Sequence, residues 1–273
     1  MNKNKSKPQS SSASIRSAEE SACLPINHGY QLCAAAVHLF PGADGEKVRV
    51  GIVGGKEAAP NSRPYMASLQ LQSRHFCGGV LVREDFVLTA AHCRLRRAFK
   101  VVLGAVSLSA QEAGKQEFNV TRSIPHPDYD GHENDIMLLK LDRRANLTRA
   151  VQLITLGRLR RSSQCSTAGW GDIGDNNTLP DKLQEVGVNL LTLRECRRRW
   201  GDVPITRSMI CATGDRAAQG FCSGDSGGPL VCNGTSVGVV SFSGRQCGNP
   251  RTPDVYMRTS SFRRWIRNVL RSN

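Results

Sequence analysis

Ser226 is the residue in this 273-residue sequence from which a chemical function can be argued, because it lies in a glycine-rich loop. The loop reads Gly-Phe-Cys-Ser-Gly-Asp-Ser-Gly-Gly-Pro over residues 220–229, and its small side chains allow backbone N–H groups to turn inward. The N–H groups of Gly224 and Ser226 are predicted to form an oxyanion hole for an attacked carbonyl. A serine hydroxyl is a weak nucleophile, so it also needs a base to remove its proton and a third group to orient that base.

The base and the orienting acid are predicted to be His92 and Asp135. His92 lies in the stretch Thr-Ala-Ala-His-Cys, and Asp135 opens an apolar, strand-like run. His126 and His132 lie in a proline-containing turn and are interpreted as surface residues. The order His, Asp, Ser along the chain is that of chymotrypsin and differs from the orders in subtilisin and the α/β-hydrolases. The sequence therefore resembles the chymotrypsin family of serine proteases.

Short apolar runs alternate with turn residues through most of the chain, and no βαβ alternation is present. This pattern favours an antiparallel all-β fold. The resemblance implies the architecture of the family, which is two antiparallel six-stranded β-barrels with the active site in the cleft between them and a C-terminal α-helix. The peptidase domain is predicted at 52–273, with barrel one at about 52–157, barrel two at about 163–260 and the helix at about 261–271.

Residues 1–51 differ in composition from the rest of the chain and are predicted to be a leader or propeptide, largely disordered. Residues 1–21 contain almost no large apolar side chain, so they cannot bury a core. Cleavage to the mature chain is expected between Gly51 and Ile52. A glycine before the cleaved bond favours removal of a short propeptide by a dipeptidyl peptidase, as in the granule proteases that the sequence resembles. Arg49 nearby leaves activation by a trypsin-like enzyme as an alternative.

The motif Ile-Val-Gly-Gly, which starts at Ile52, resembles the mature N-terminus of the family. The resemblance implies that cleavage there frees an α-ammonium group, which folds inward and pairs with Asp225. Ser68 and His75 fall where some zymogens of the family hold that aspartate in an inactive arrangement. The alternative is that both are ordinary polar residues of a loop.

Ten cysteines indicate an oxidising compartment. Spacing alone does not choose their partners, but the resemblance implies four disulfides of the family: Cys77–Cys93, Cys165–Cys232, Cys196–Cys211 and Cys222–Cys247. Cys23 and Cys33 remain, and they either pair with each other or are absent from the mature protein. Four N-x-Ser/Thr sequons are candidates for glycosylation, at Asn119, Asn146, Asn176 and Asn233. Together these features predict a secreted protein or one in the lumen of a secretory granule.

The pocket for the residue before the cut bond is predicted from the resemblance to comprise Gly220, Phe221, Ser241, Phe242, Ser243 and Asp254. Gly220 stands where trypsin-like relatives carry an aspartate. A guanidinium could still lie against Phe221 and hydrogen-bond to serine hydroxyls, with Asp254 attracting it from further away, which favours arginine over lysine. Ser243 is expected to narrow the entrance, so a pocket for small aliphatic residues, as in elastase, is the alternative.

The formal net charge of +14 predicts an anionic partner. Arginine clusters favour a sulfated glycosaminoglycan such as heparin; they are Arg94, Arg96 and Arg97, Arg158, Arg160 and Arg161, Arg197 to Arg199, and the arginines of the last helix. The other expected partners are protein or peptide substrates and serpin-type inhibitors, and the chain is expected to be a monomer. Aromatic residues make up 5% of the chain and no nucleic-acid motif is present, so nucleic acid is not expected as a partner. The one apolar run of the leader is too short to cross a bilayer, so membrane insertion is not expected.

No cofactor or metal is expected. Cys77, His92 and Cys93 lack the spacing of a metal site, and Ala105 stands where calcium-binding relatives place an acid. The competing function is that of an inactive, heparin-binding homologue of the azurocidin kind. Inactive relatives have lost one of the three catalytic residues, whereas this sequence keeps all three. The sequence therefore predicts a serine endopeptidase.

Overall fold

The computed structural model describes residues 24–26, 30–32, 52–160, 163–174, 178–216 and 218–273. The chain divides into two units, Met1–Phe40 and Pro41–Asn273. In the first unit, strand β1 (Leu24–Ile26) pairs antiparallel with strand β2 (Tyr30–Leu32). The sequence does not predict this hairpin, because strands of three residues are too short to establish a periodicity. The prediction of disorder for residues 1–21 and the pairing of Cys23 with Cys33 lie outside the described residues.

The first barrel of the second unit closes from six antiparallel strands in the order β4-β5-β6-β9-β8-β7. These strands are β4 (Met66–Leu71), β5 (Arg74–Arg83), β6 (Phe86–Thr89), β7 (Lys100–Leu103), β8 (Gln116–Pro125) and β9 (Met137–Leu141). Val80 and Leu88 face each other across β5 and β6, and both are fully buried. Burying a side chain of this size contributes about 1.5–3 kcal/mol, which is why the short apolar runs of the sequence form the inner wall of a barrel.

The second barrel has the strand order β10-β13-β14-β15-β12-β11 and closes where β11 pairs with β10. Its strands are β10 (Cys165–Gly169), β11 (Gln184–Leu191), β12 (Met209–Gly214), β13 (Pro229–Cys232), β14 (Thr235–Phe242) and β15 (Asp254–Arg258). Strand β3 (Lys56–Glu57) adds to the edge of β11. The predicted fold class, two antiparallel six-stranded barrels with a C-terminal helix, is confirmed.

Within the described residues, two α-helices accompany the barrels. Helix α1 (Leu193–Trp200) begins after Thr192, whose hydroxyl accepts a hydrogen bond from the Glu195 N–H at 3.2 Å and so caps the helix. Helix α2 (Arg263–Ser272) follows a single 3₁₀ turn, Thr259–Phe262, and buries Ile266 in the main core. From the sequence, Arg197 to Arg199 are interpreted as a charge cluster, and helix α1 is not predicted.

Four disulfides join Cys77 to Cys93, Cys165 to Cys232, Cys196 to Cys211 and Cys222 to Cys247. The first of them connects β5 to the turn that carries His92, and the fourth connects the segment before Ser226 to the loop before β15. Each of these two cross-links therefore restrains one wall of the cleft between the barrels. Among the described residues, no helix combines the length and the apolar character that crossing a bilayer requires.

Candidate active site

His92 and Asp135 meet at one end of two neighbouring strands of the first barrel. His92 lies in the 3₁₀ turn Ala91–Cys93 directly after β6, and Asp135 lies just before β9, which pairs with β6. The His92 Nδ1 lies 2.7 Å from Asp135 Oδ2, and the His92 backbone N–H donates to Asp135 Oδ1 at 2.9 Å. Because a carboxylate only accepts hydrogen bonds, Nδ1 carries the proton and Nε2 is left as the acceptor.

Ser241, on β14 of the second barrel, supplies a third contact to the Asp135 carboxylate. Its hydroxyl donates to Asp135 Oδ2 at 2.6 Å, and Asp135 is 3% exposed. Burial alone would raise the pKa of Asp135, but the adjacent His92 and the hydrogen bonds from His92 and Ser241 outweigh it and lower the pKa. The carboxylate is therefore held ionised and in a fixed orientation.

The environment of His92 favours its cation. Burial alone would lower the pKa of His92, but the charge of Asp135 and the hydrogen bond to it raise the pKa above its usual 6.5. The His92 side chain is 28% exposed, so part of the ring faces the cleft. A neutral His92 can thus take a proton at Nε2 and be stabilised as imidazolium by Asp135.

Ser226 is brought to this pair through its backbone. Its carbonyl oxygen accepts from the Gly78 N–H at 2.8 Å and lies 3.6 Å from the Sγ of Cys93, the residue after His92. Gly227 has φ +82°, and a Cβ there would lie 2.1 Å from the Thr89 hydroxyl oxygen, so the approach requires glycine. Among the described residues the Ser226 hydroxyl has no hydrogen-bond partner. Catalytic hydrogen bonds of this kind commonly tighten when substrate binds.

The predicted oxyanion hole has a defined orientation. The Ser223 carbonyl accepts from the Asp172 N–H at 2.6 Å, and since no peptide bond of the described chain is cis, the Gly224 N–H points the opposite way. The Gly224 φ of +95° is accessible to glycine at little cost. In the part of the chain that the structure describes, neither Gly224 N–H nor Ser226 N–H donates to a protein atom. Both donors therefore remain available for a ligand.

Asp225 is fully buried between backbone donors. Its carboxylate accepts from the Gly171 N–H at 2.8 Å and from the Cys222 N–H at 2.9 Å. Burial is the main cause that raises the pKa of Asp225 to about 7, and the charge of Asp172 acts in the same direction. A cation placed beside this carboxylate would stabilise its ionised form.

The segment that begins at Ile52 docks on the second barrel. Ile52 is fully buried in a core cluster that includes Phe221 and Tyr256. The carbonyl of Val53 accepts from the Gly220 N–H at 3.2 Å, which places the segment next to the chain that leads into the Ser226 loop.

Ser68 and His75 pair with each other but not with Asp225. The Ser68 hydroxyl lies 2.8 Å from His75 Nδ1, and His75 Nε2 lies 2.9 Å from the carbonyl oxygen of Gly224. Burial lowers the pKa of His75 to about 4, so its ring is neutral at physiological pH and donates from Nε2 to that carbonyl. The inactive arrangement considered from the sequence is thus not the one in this structure, because His75 holds the oxyanion loop instead.

The base of the predicted pocket is filled. Phe221 is 3% exposed and packs edge-on against the Tyr256 ring, with centroids 5.2 Å apart. Asp254 is 3% exposed and accepts from the Phe221 N–H at 3.0 Å, while a Cβ on Gly220 would lie 2.3 Å from its Oδ2. Burial raises the pKa of Asp254 well above its usual range. The sequence-based role of Asp254 as an attracting carboxylate is therefore weakened, since burial favours the neutral acid.

The wall formed by Ser241, Phe242 and Ser243 continues as an aromatic cluster that the sequence did not reveal. The Phe242 ring lies 5.3 Å from Trp200 and 4.8 Å from His132, and His132 Nε2 lies 2.8 Å from the Pro204 carbonyl. Ser243 is half-buried beside this cluster. No local signal identifies the cluster, because its members are separated by more than forty residues and meet through the fold.

His126 and the predicted glycosylation sites are not part of the His92, Asp135 and Ser226 arrangement, and the cysteines beside His92 form no metal site. His126 packs against Phe262 and Trp265, with centroid distances of 5.3 and 5.1 Å. Asn119, Asn146 and Asn233 are exposed, and Asn176 lies outside the described residues. Cys77, His92 and Cys93 have clustered ligand atoms, but both sulfurs belong to one disulfide and are not free to bind metal.

The chain is similar over most of its length to known serine proteases. The trypsin family model matches residues 52–266. The chain is 48% identical to mast cell protease 3 of Ovis aries over 81% of this chain and 89% of that protein, and 43% identical to serine protease 57 of Mus musculus over 81% and 82%. It is 44% identical to cathepsin G of Homo sapiens over 81% and 88%. The structure of neuropsin, a serine protease of mouse brain, superposes with a TM-score of 0.76 at 37% identity, over 80% of this chain and 100% of that one.

Proposed function

We propose that this chain, which belongs to the trypsin family and is a serine endopeptidase, forms its acyl-enzyme on Ser226 and cleaves after arginine. One observation carries the assignment of the residues: the Asp135 carboxylate holds His92 at 2.7 Å and is itself held by Ser241 at 2.6 Å. This arrangement leaves His92 Nε2 as a base on the cleft side, where the Ser226 loop lies.

In this mechanism the Ser226 Oγ attacks the substrate carbonyl carbon, and its proton passes to His92 Nε2. Asp135 stabilises the resulting imidazolium, while the N–H groups of Gly224 and Ser226 donate to the oxyanion. Collapse of the tetrahedral intermediate breaks the C–N bond, and His92 gives its proton to the leaving amine. Water then attacks the acyl carbon and gives its proton to His92 Nε2. The ester C–O bond breaks, the new carboxylic acid leaves, and His92 returns the proton to Ser226 Oγ.

Activation belongs to the same proposal. Cleavage before Ile52 frees an α-ammonium group beside Asp225, whose carboxylate is otherwise surrounded by backbone donors and burial. The pair would keep Asp225 ionised and hold the neighbouring Gly224 N–H in its outward orientation. Leaving a buried carboxylate without its cation is the costly alternative.

The preference for arginine is argued from the filled pocket. Phe221 and Asp254 occupy the base, so a long side chain must end near the mouth. Ser243 at the wall is half-buried and Ser223, before the oxyanion loop, is exposed, so both can offer hydroxyl oxygens there. A guanidinium presents a planar fork of donors that can reach two such acceptors, whereas an ammonium is a compact and strongly hydrated charge. The same filled base is what supports the alternative, cleavage after small aliphatic residues.

Peptide substrates that differ only in arginine, lysine, valine or alanine before the cut bond test this proposal. We expect kcat/KM for arginine to exceed that for lysine by about tenfold, and Ser243→Ala to lower arginine hydrolysis by a factor on the order of ten, as for loss of one hydrogen bond to a charged group. Asp254→Asn is the matched control and should have little effect, since Asp254 is covered by Phe221. A preference for valine or alanine would contradict the arginine assignment, and activity that survives Ser226→Ala would contradict the nucleophile.

Heparin is proposed as a polyanionic partner, because Arg94, Arg96 and Arg97 are exposed and, among the described residues, none of them pairs with a carboxylate. Arg198 and Arg199, by contrast, both bind Glu195 at 2.7 Å, so that cluster is partly neutralised.

Four disulfides and exposed sequons support a secreted or granule location for the enzyme. Serpin-type inhibition and a monomeric state remain part of this proposal.

Retention on a heparin column tests the proposed binding of heparin. The protein is expected to elute above physiological salt, and replacing Arg94, Arg96 and Arg97 together by glutamine should lower the salt needed for elution. Arg198→Gln, in the neutralised cluster, should change elution far less. The same shift per removed charge in both variants would mean that net charge alone governs retention.

A further inference from the structure

Helix α2 borders a surface cavity of about 260 Å³ that contains none of the residues assigned to catalysis or substrate binding. Its floor is apolar and comes from Leu156, Ile266 and Leu270. Its rim carries Arg263, Arg267 and Arg271, which lie four residues apart and therefore on one face of the helix. Because an α-helix rises about 1.5 Å per residue, the rim extends about 12 Å along the helix axis from Arg263 to Arg271.

The three rim arginines are exposed, and their guanidinium groups are unpaired among the described residues. In the described part of the chain none of their guanidinium groups has a hydrogen bond or an ion pair, and no carboxylate lines the cavity. Arg83, which closes one end, differs because it donates to Asp85, to the Leu270 carbonyl and to Asn273. The rim therefore has positive charge and free donors, whereas the floor has neither donors nor acceptors in its side chains.

We propose that this cavity binds a single-chain anionic amphiphile of the fatty-acid type. The carboxylate accepts from the guanidinium groups of Arg263 and Arg267, which match it in a bidentate geometry. The acyl chain covers Leu156 and Leu270, over the buried Ile266, and removes the apolar surface of these two leucines from water.

The apolar floor distinguishes this ligand from a sulfated polysaccharide. A polysaccharide can pair its sulfates with the rim, but its hydroxyl groups would find no partner on Leu156 or Leu270 and would lose their hydrogen bonds to water. The dimensions of the cavity suit one chain, since pockets for drug-sized ligands begin at about 300 Å³. The charge complementarity at the rim and the apolar floor thus point to the same occupant.

Calorimetric titration of the full-length protein with dodecanoate, below the concentration at which it forms micelles, tests the inference. Saturable binding with one site per chain is expected, with hexanoate weaker and acetate without effect. Arg267→Gln and Leu270→Gln should each weaken dodecanoate binding by about tenfold, on the scale of one charge-assisted hydrogen bond or one buried side chain. Arg264→Gln is the matched control, because Arg264 is an exposed neighbour on the same helix that does not line the cavity. Unchanged thermal unfolding temperatures establish that the variants are folded.

Five results would overturn the inference. Dodecanol binding as tightly as dodecanoate would make the site merely apolar, and loss of binding in Arg264→Gln to the same extent as in Arg267→Gln would make it a net-charge effect. Binding to vesicles of phosphatidylserine without binding of monomeric dodecanoate would assign the face to a membrane surface. If Arg267→Gln weakened heparin binding while Leu270→Gln left the binding of every ligand unchanged, this face would be assigned to a polysaccharide. Absence of dodecanoate binding to the full-length protein would exclude the site altogether.

Discussion

Asp135→Asn is expected to lower kcat/KM by about 10⁴-fold, on the scale of the loss of the same carboxylate in other serine proteases. Asparagine can keep a hydrogen bond to His92, but its amide removes the charge that stabilises the imidazolium and permits the wrong tautomer. The pH profile adds a second readout, because His92 must be neutral to act as a base and activity therefore rises as pH passes its pKa. Asp135 raises that pKa and burial lowers it, so the midpoint should move to lower pH in the variant.

Asp128→Asn is the control for this experiment. Asp128 is an exposed acid in the loop that precedes Asp135, and its removal should leave both the rate and the midpoint unchanged. Ser241→Ala should have a smaller effect than Asp135→Asn, because it removes one hydrogen bond to the carboxylate and keeps the charge. Full activity of Asp135→Asn with an unmoved midpoint would refute the assignment of the orienting acid.

Cleavage that exposes Ile52 is expected to raise kcat/KM by at least about 10²–10³-fold, the cost of losing one oxyanion donor. In the uncut chain Asp225 lacks a bonded cation among the described residues, and its pKa is raised to about 7 by burial. The freed ammonium group should pair with the carboxylate and stabilise the loop that presents the Gly224 N–H. Hydrolysis of an arginine substrate before and after trimming measures the effect.

The sharpest comparison is between chains that begin at Ile52 and at Gly51. Both have a free ammonium group, but in the second it is displaced by one residue, about 3.5 Å of extended chain. The Gly51 form should remain close to the uncut level, and Asp225→Asn should abolish the gain in the Ile52 form. Equal activity of the two forms would mean that the charge of Asp225 is not the switch.

The sequence predicts the parts of this protein that local motifs and the family resemblance can carry. His92, Asp135 and Ser226 each lie in a recognisable stretch, the alternation of short apolar runs with turns predicts antiparallel strands, and the resemblance implies that they form two barrels. The filled pocket is different, because Phe221, Tyr256 and Asp254 exclude one another from solvent only after β15 is placed beside the Ser226 loop. The sequence suggested an ionised carboxylate at Asp254, whereas the burial that the fold imposes favours the neutral acid.

Helix α1 was not predicted, because its sequence has too few apolar residues to show a helical pattern. Its exposed face is so rich in arginine that the pattern indicates a solvated charge cluster, while a single buried Cys196 is the apolar anchor. The pairing of Arg198 and Arg199 with Glu195 follows from helical spacing and could have been predicted once the helix was recognised.

Strand β14 touches both halves of the catalytic arrangement within two residues. Val240 exchanges backbone hydrogen bonds with the Ser226 loop, accepting from Gly227 at 2.9 Å and donating to Gly228 at 2.8 Å, and the next residue, Ser241, reaches Asp135 in the other barrel. The proposed nucleophile and acid are therefore in register only when the two barrels have docked along this strand. A newly synthesised chain with only the first barrel folded pairs His92 with Asp135 but has neither the Ser241 contact nor the Ser226 loop in place, so docking of the barrels must precede activation by cleavage before Ile52.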